Sequence, residues 1–317
     1  MPLLFNSLRS CLALRAPRIG KLQLWTAALT LILVSLLPRL ASASELRLTV
    51  GTAERLALVV NAPPAGQLRP VVLVLHGGAG SAAAPRERSG FDALAQREGF
   101  MVVYPQGTSW GQGRHAWNTG YLMRRQVGSA DDVTFLDALI DRLISQYGAD
   151  PKRVYMTGGS NGAMMTLVFA TQRAERLAAI APVMGAMFSF DVRPSRPIPI
   201  LLINGALDQE VPIEGGMSRN PVVRSAQLAP YKSLEETLAF WLEVNRSSAN
   251  PTVAVKGSVK TRVWQALPNG VDTISVLDEA AAHGWPGSTP GRRATLPGSS
   301  VPAAEVIWGF FQGHQLP

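Results

Sequence analysis

Gly158-Gly159-Ser160-Asn161-Gly162 lies between a β-branched, apolar run, Val154-Tyr155-Met156, and a helix-forming stretch, Ala163 to Ala170. A strand that turns into a helix within so few residues brings two backbones close together, so the positions flanking the turn must be small. This junction commits the chain to strands that feed directly into helices. A second G-x-S-x-G spacing, Gly107-Thr108-Ser109-Trp110-Gly111, runs on into more glycine and Gln. It has no helix behind it, and Ser109 is assigned to a loop.

The same alternation continues along the chain. Strands are expected at Arg55 to Val60, Val71 to Leu75, Phe100 to Tyr104, Arg153 to Thr157, Ala179 to Val183, Ile198 to Ile203 and Ile274 to Leu277. Helices are expected at Asp132 to Tyr147, Asn161 to Arg173, Ser233 to Val244 and Glu305 to Phe311. In the first of these, Phe135, Leu136, Leu139 and Leu143 recur at helical spacing on one face. Alternating elements of this kind predict an α/β fold, with a mostly parallel central sheet covered by helices on both faces. The Pro/Gly/Ser-rich stretches at 212–230 and 284–302 are loops, and residues 44–317 form one expected domain.

Residues 1–43 have a different character. Arg9, Arg15, Arg18 and Lys21 precede an apolar run from Leu22 to Leu37, and Ala41-Ser42-Ala43 follows it. Charged, apolar and small segments in that order predict a secretory signal peptide cleaved after Ala43. The apolar run is short of the roughly 20 residues that span a bilayer, so no stable membrane association is expected after cleavage. The leader carries five of the 30 basic residues and no acid, which leaves 25 basic against 22 acidic residues in the remainder. That near balance gives no reason to expect a nucleic-acid partner. The one cysteine, Cys11, is also in the leader, so the exported chain would have neither a disulfide nor a thiol nucleophile.

A serine hydroxyl is a weak nucleophile and needs an adjacent base. Histidine occurs at 76, 115, 283 and 314. Enzymes with this strand–serine–helix turn run in the order Ser, acid, His. His283 follows a strand in a loop of small residues, whereas His314 stands three residues from the C-terminus. The expected base is therefore His283. Asp208 follows the run Pro199 to Ile203 and is the expected orienting acid, with Glu210 as its near rival and an Asx-turn role as its plainer explanation. His76-Gly77-Gly78-Ala79-Gly80 follows the strand ending at Leu75. Such a loop supplies one backbone N–H to an oxyanion, and the residue after the nucleophile supplies another, which selects Gly78 and Asn161. Trp117 and Trp285 are either cleft wall, and so substrate-binding, or core. Asp131 and Asp132 are expected to cap a helix; with no His or third acid near them in sequence, no metal site is expected.

Taken together these residues resemble the secreted polyhydroxybutyrate depolymerase and feruloyl esterase group, akin to carbohydrate esterase family 1. The matching stretches, in order, are Leu75-His76-Gly77-Gly78, Tyr104-Pro105-Gln106-Gly107, Trp117-Asn118, Asp131-Asp132-Val133 with Phe135, the Ser160 pentapeptide, Asp208 with Val211-Pro212, and His283 with Trp285-Pro286-Gly287. The resemblance implies an α/β-hydrolase fold, a Ser160–Asp208–His283 triad and cofactor-free hydrolysis of carboxylic esters, small or polymeric. Asn204 and Gly284 depart from the family's usual His and Thr, and its paired cysteines are missing. An acyltransferase, or a non-catalytic surface-binding protein on the same scaffold, is the alternative. The sequence does not fix an oligomeric state.

Overall fold

The computed structural model describes residues 43–288 and 299–317, so the leader lies, but for Ala43, outside the described residues. Ten strands form one sheet in the order β1-β2-β4-β3-β7-β8-β9-β12-β11-β10. They are β1 Ser44–Val50, β2 Ala53–Val60, β3 Arg69–Leu75, β4 Met101–Pro105, β7 Ala149–Gly159, β8 Ala179–Val183, β9 Ile200–Gly205, β10 Thr252–Lys256, β11 Val259–Trp264 and β12 Thr273–Asp278. A small separate hairpin pairs β5 Thr108–Gly111 with β6 Arg114–Ala116. From β4 to β12 the neighbours in the large sheet are all parallel, and antiparallel strands extend it at both ends. This is the mostly parallel arrangement that the sequence predicts.

Two cores follow from the period-two geometry of the strands. Val71, Leu73, Leu75, Val154 and Met156 point to one face, while Val72, Val74, Val102, Tyr104 and Tyr155 point to the other. The first face is covered by α3 Asp132–Tyr147, α4 Asn161–Gln172 and α5 Leu234–Asn245. The second is covered by α2 Phe91–Glu98 and α6 Ala303–Phe311, with α1 Ala83–Arg88 preceding them in the chain. Burying each large apolar side chain in these layers contributes about 1.5–3 kcal/mol. Among the described residues no helix is long and apolar enough to cross a membrane.

The helix starts follow from local chemistry. Ser233 and Glu236 make a reciprocal capping box at the start of α5. Asp131 caps α3 by accepting the Thr134 N–H at 2.9 Å, as expected. Asp132 corrects its half of that expectation. Its side chain is fully buried, pairs with Arg55 of β2 at 2.6 Å and accepts the Asn118 N–H at 2.7 Å. The Arg55 guanidinium in turn lies 3.9 Å from the centre of the Phe135 ring. Asp132 thus ties β2, α3 and the segment after β6 together.

Candidate active site

β7 ends at Gly159 and α4 begins at Asn161, so Ser160 alone makes the turn. Its backbone sits at φ 56 and ψ −121, a conformation that costs a non-glycine residue on the order of 1–3 kcal/mol. The Ser160 N–H donates to Val183 O of β8 at 2.9 Å, which helps hold the turn in place. The small neighbours are a steric requirement. A Cβ on Gly162 would stand 2.5 Å from the carbonyl oxygens of both Leu75 and His76, and one on Gly158 would meet the Gly162 backbone at 2.7 Å. Ser109, in contrast, lies in the β5–β6 hairpin, where its hydroxyl accepts the Gly111 N–H at 3.4 Å. It is on a strand rather than in the expected loop.

The loop after β3 packs against this turn. Cβ atoms built on Gly77 and Gly78 would lie 3.6 Å from Ser160 Cβ and Asn161 Cβ respectively. As the first residue of α4, Asn161 has an N–H with no intrahelical acceptor. Its side chain brackets Trp117, accepting the Trp117 N–H at 2.7 Å and donating to Trp117 O at 3.1 Å. Trp117 is fully buried, and its indole N–H donates to His76 O at 2.9 Å. It is therefore a strut beneath the glycine loop and not a wall that substrate could touch, which corrects its assignment as substrate-binding.

His76 joins two loops. Its Nδ1 lies 2.7 Å from Gly77 O, and its Nε2 accepts the Gly107 N–H at 2.9 Å. Accepting at Nε2 requires a neutral ring that carries its proton on Nδ1. Burial, opposed by the bond to the Gly77 carbonyl, pushes the imidazole pKa down from 6.5 to about 4. A histidine with a depressed folded-state value binds its proton more readily when unfolded. Its contribution is complete above about 6.5 and is lost as the pH falls towards about 4. Urea unfolding should then show wild type losing on the order of 3 kcal/mol more than His76→Gln between pH 7 and pH 4. Parallel losses in the two proteins would contradict this account.

β9 and β12 run side by side in register, with Gly205 opposite Asp278. The loops that leave them therefore start together. The Leu207 N–H donates to Ala281 O at 2.9 Å, and the Ala206 N–H to Asp278 O at 3.0 Å. A Cβ on Gly205 would stand 2.4 Å from Ala281 O, so only glycine permits this approach. Asp208 is buried at the end of the first loop. Its Oδ1 accepts the N–H groups of Glu210 and Val211, both at 2.8 Å, and its Oδ2 lies 2.6 Å from His283 Nδ1. Asp208 thus makes an Asx turn and holds the imidazole as well. Glu210 Oε2 stands 3.4 Å from the other ring nitrogen, Nε2. The two candidate acids therefore face opposite nitrogens of one ring.

Ser160, His283 and Trp285 line a common cavity of about 170 Å³, with Gly77 and Met184 in its wall. Of the two places the sequence left open for Trp285, cleft wall or core, the structure has it lining this cavity. Sequence reasoning passed over Arg88, which lines the same cavity, and Tyr231, whose buried hydroxyl is pushed up by burial and by the negative charges of Asp208 and Glu210. Arg88 had no motif to mark it. Among the described residues no group of three His, Cys, Asp or Glu side chains could hold a metal ion.

Strand order, together with loops that bring a serine turn, a glycine loop and an imidazole to one rim of a parallel sheet, makes this protein an α/β-hydrolase. The acetyl xylan esterase from Aspergillus awamori has the same fold, with a TM-score of 0.56 over 84% of this chain and 99% of that one at 18% identity. The family model described as Esterase PHB depolymerase matches residues 56–211. NocK of Nocardia uniformis subsp. tsuyamanensis, named as an esterase, is 32% identical over 261 residues, covering 78% of this chain and 74% of that protein. The chain belongs to the Esterase PHB depolymerase family of ester hydrolases, as its ordered motifs imply. Poly(3-hydroxyalkanoate) depolymerase C of Paucimonas lemoignei is 35% identical over 122 residues, 38% of this chain and 28% of that protein. Feruloyl esterase B of Piromyces equi is 29% identical over 60% of this chain, which spans 35% of its length.

Proposed function

We propose that the protein is a secreted serine esterase that cleaves carboxylic esters through an acyl-enzyme. The observation that carries this reading is the 2.6 Å contact between Asp208 and His283 Nδ1, made beside the cavity that Ser160 also lines. His283 Nε2 takes the proton of Ser160 as its oxygen attacks the ester carbonyl. The N–H groups of Gly78 and Asn161 hold the oxyanion. His283 then protonates the departing alcohol oxygen as the carbon–oxygen bond breaks. Water follows the same route in reverse roles, freeing the acid and Ser160. Asp208 orients the imidazole and stabilises its cation. The relatives' names put polyhydroxyalkanoate, feruloyl and acetylxylan esters among the substrates to try.

A fluorophosphonate probe followed by peptide mass spectrometry tests the reading. The label is expected on Ser160, and label on Ser109 or on no serine would overturn it. Export belongs to the same proposal. N-terminal sequencing of protein recovered outside the cytoplasm should begin at Ser44. A chain that still carries Leu22 to Leu37 and remains in the membrane would refute that part alone.

A further inference from the structure

Among the described residues, the cavity at Ser160 carries one formal charge that the reaction does not use. Its described wall contains no Asp or Glu, and His76 within it is neutral. Arg88, the last residue of α1, lines it together with Ser160 and His283. Two residues earlier, Arg86 is held by Asp92 at 3.0 Å. Arg88 makes no ion pair or hydrogen bond among the described residues, and its side chain is exposed. The cavity also meets Trp285, whose buried indole N–H has no acceptor among the described residues. A guanidinium presents five donors in a planar fork suited to a carboxylate. At about 170 Å³ the cavity has room for a group the size of a few water molecules, each about 30 Å³.

We propose that Arg88 forms an anion subsite beside the nucleophile, and that the preferred substrates are esters bearing a carboxylate close to the scissile bond. The alcohol departs on the side of His283, because His283 protonates it, and His283 and Arg88 share this cavity. The carboxylate therefore belongs to the alcohol portion, as in an ester formed on the hydroxyl of a short hydroxy acid. Free-acid ends of hydroxy-acid oligomers have this chemistry, whereas the interior of a long neutral polyester lacks it. The inference rests on Ser160 and His283 being the reacting pair.

The test compares 3-acetoxybutyrate with its neutral amide, 3-acetoxybutyramide, on the exported enzyme. Wild type should favour the anion, and Arg88→Gln should lower the ratio of the two kcat/KM values about tenfold, the effect of one charge-assisted hydrogen bond. Arg88→Lys should retain most of the ratio, and salt should erode it in wild type. If wild type hydrolyses p-nitrophenyl acetate but does not favour the anion, or if Arg88→Gln leaves the ratio unaltered, the subsite is overturned while the esterase reading stands. If no ester is turned over and Ser160 takes no fluorophosphonate label, the underlying reading falls and the subsite with it.

Discussion

Ser160→Ala should remove ester turnover almost entirely, with kcat falling on the order of 10⁶-fold by analogy with other serine hydrolases. The methyl group that replaces the hydroxyl cannot form the acyl-enzyme. The oxyanion donors and the cavity would survive, so weak residual catalysis above the uncatalysed rate is expected. The fold should survive as well, because the turn is held by the Ser160 N–H bond to Val183 and by the glycines around it, not by the hydroxyl. Ser109→Ala supplies the contrast. Ser109 has the same sequence spacing but lies in the β5–β6 hairpin. Its loss should leave kcat within about twofold, as expected for a surface substitution that costs little. Initial rates on p-nitrophenyl butyrate measure both. Near-normal turnover by Ser160→Ala would remove the nucleophile from the proposal.

Asp208→Asn should lower kcat up to about 10⁴-fold. The structure explains why so small a change costs so much. Oδ1 accepts two backbone N–H groups, so an asparagine would keep its oxygen there to preserve the turn. Its NH₂ would then face His283 Nδ1, which lies 2.6 Å from Oδ2 in the native protein. A donor opposite Nδ1 forces the imidazole proton onto Nε2, where the base must be free to accept. KM should change far less than kcat. Losses within one triad do not add, so Asp208→Asn combined with His283→Ala should be scarcely slower than His283→Ala alone. Glu210→Gln should cost less than tenfold, because Glu210 faces Nε2 and not Nδ1. A nearly active Asp208→Asn with an inactive Glu210→Gln would exchange the roles of the two acids.

The triad candidates were legible because each sits where a strand ends, and strand ends are written in local sequence. The apolar run before Asp208 and the turn residues after it need no tertiary information. All six strands of the parallel segment overlap strands expected from the sequence, because strands buried on both faces read as apolar runs. The β10–β11 hairpin escapes the sequence reading although Thr252, Val253 and Val255 suit a strand, and every residue of β10 is exposed. Helices α1 and α2 escape a reading by periodicity because, at six and eight residues, they are too short to repeat an apolar face. Trp117 was ambiguous in principle, because an indole has the same sequence signature in a core as in a cleft. The Arg55–Asp132 pair joins residues 77 positions apart, and nothing local to either announces the other.

The position of β12 has a consequence for how the molecule is assembled. Synthesis produces β9, β10, β11 and β12 in that order, but the sheet requires β9, β12, β11 and β10. The hairpin of β10 and β11 can close on itself early, yet it has no place to dock until β12 emerges and slots in beside β9. That last strand also delivers His283 to Asp208, a contact spanning 75 residues. Long-range parallel pairing of this kind is slow to form. Completion of the sheet and arrival of His283 beside Asp208 are thus one event. If His283 is the base, as proposed, a nascent chain that stops short of β12 can present Ser160 and Asp208 and still be inert, so ester cleavage would report that the final third of the sheet has closed.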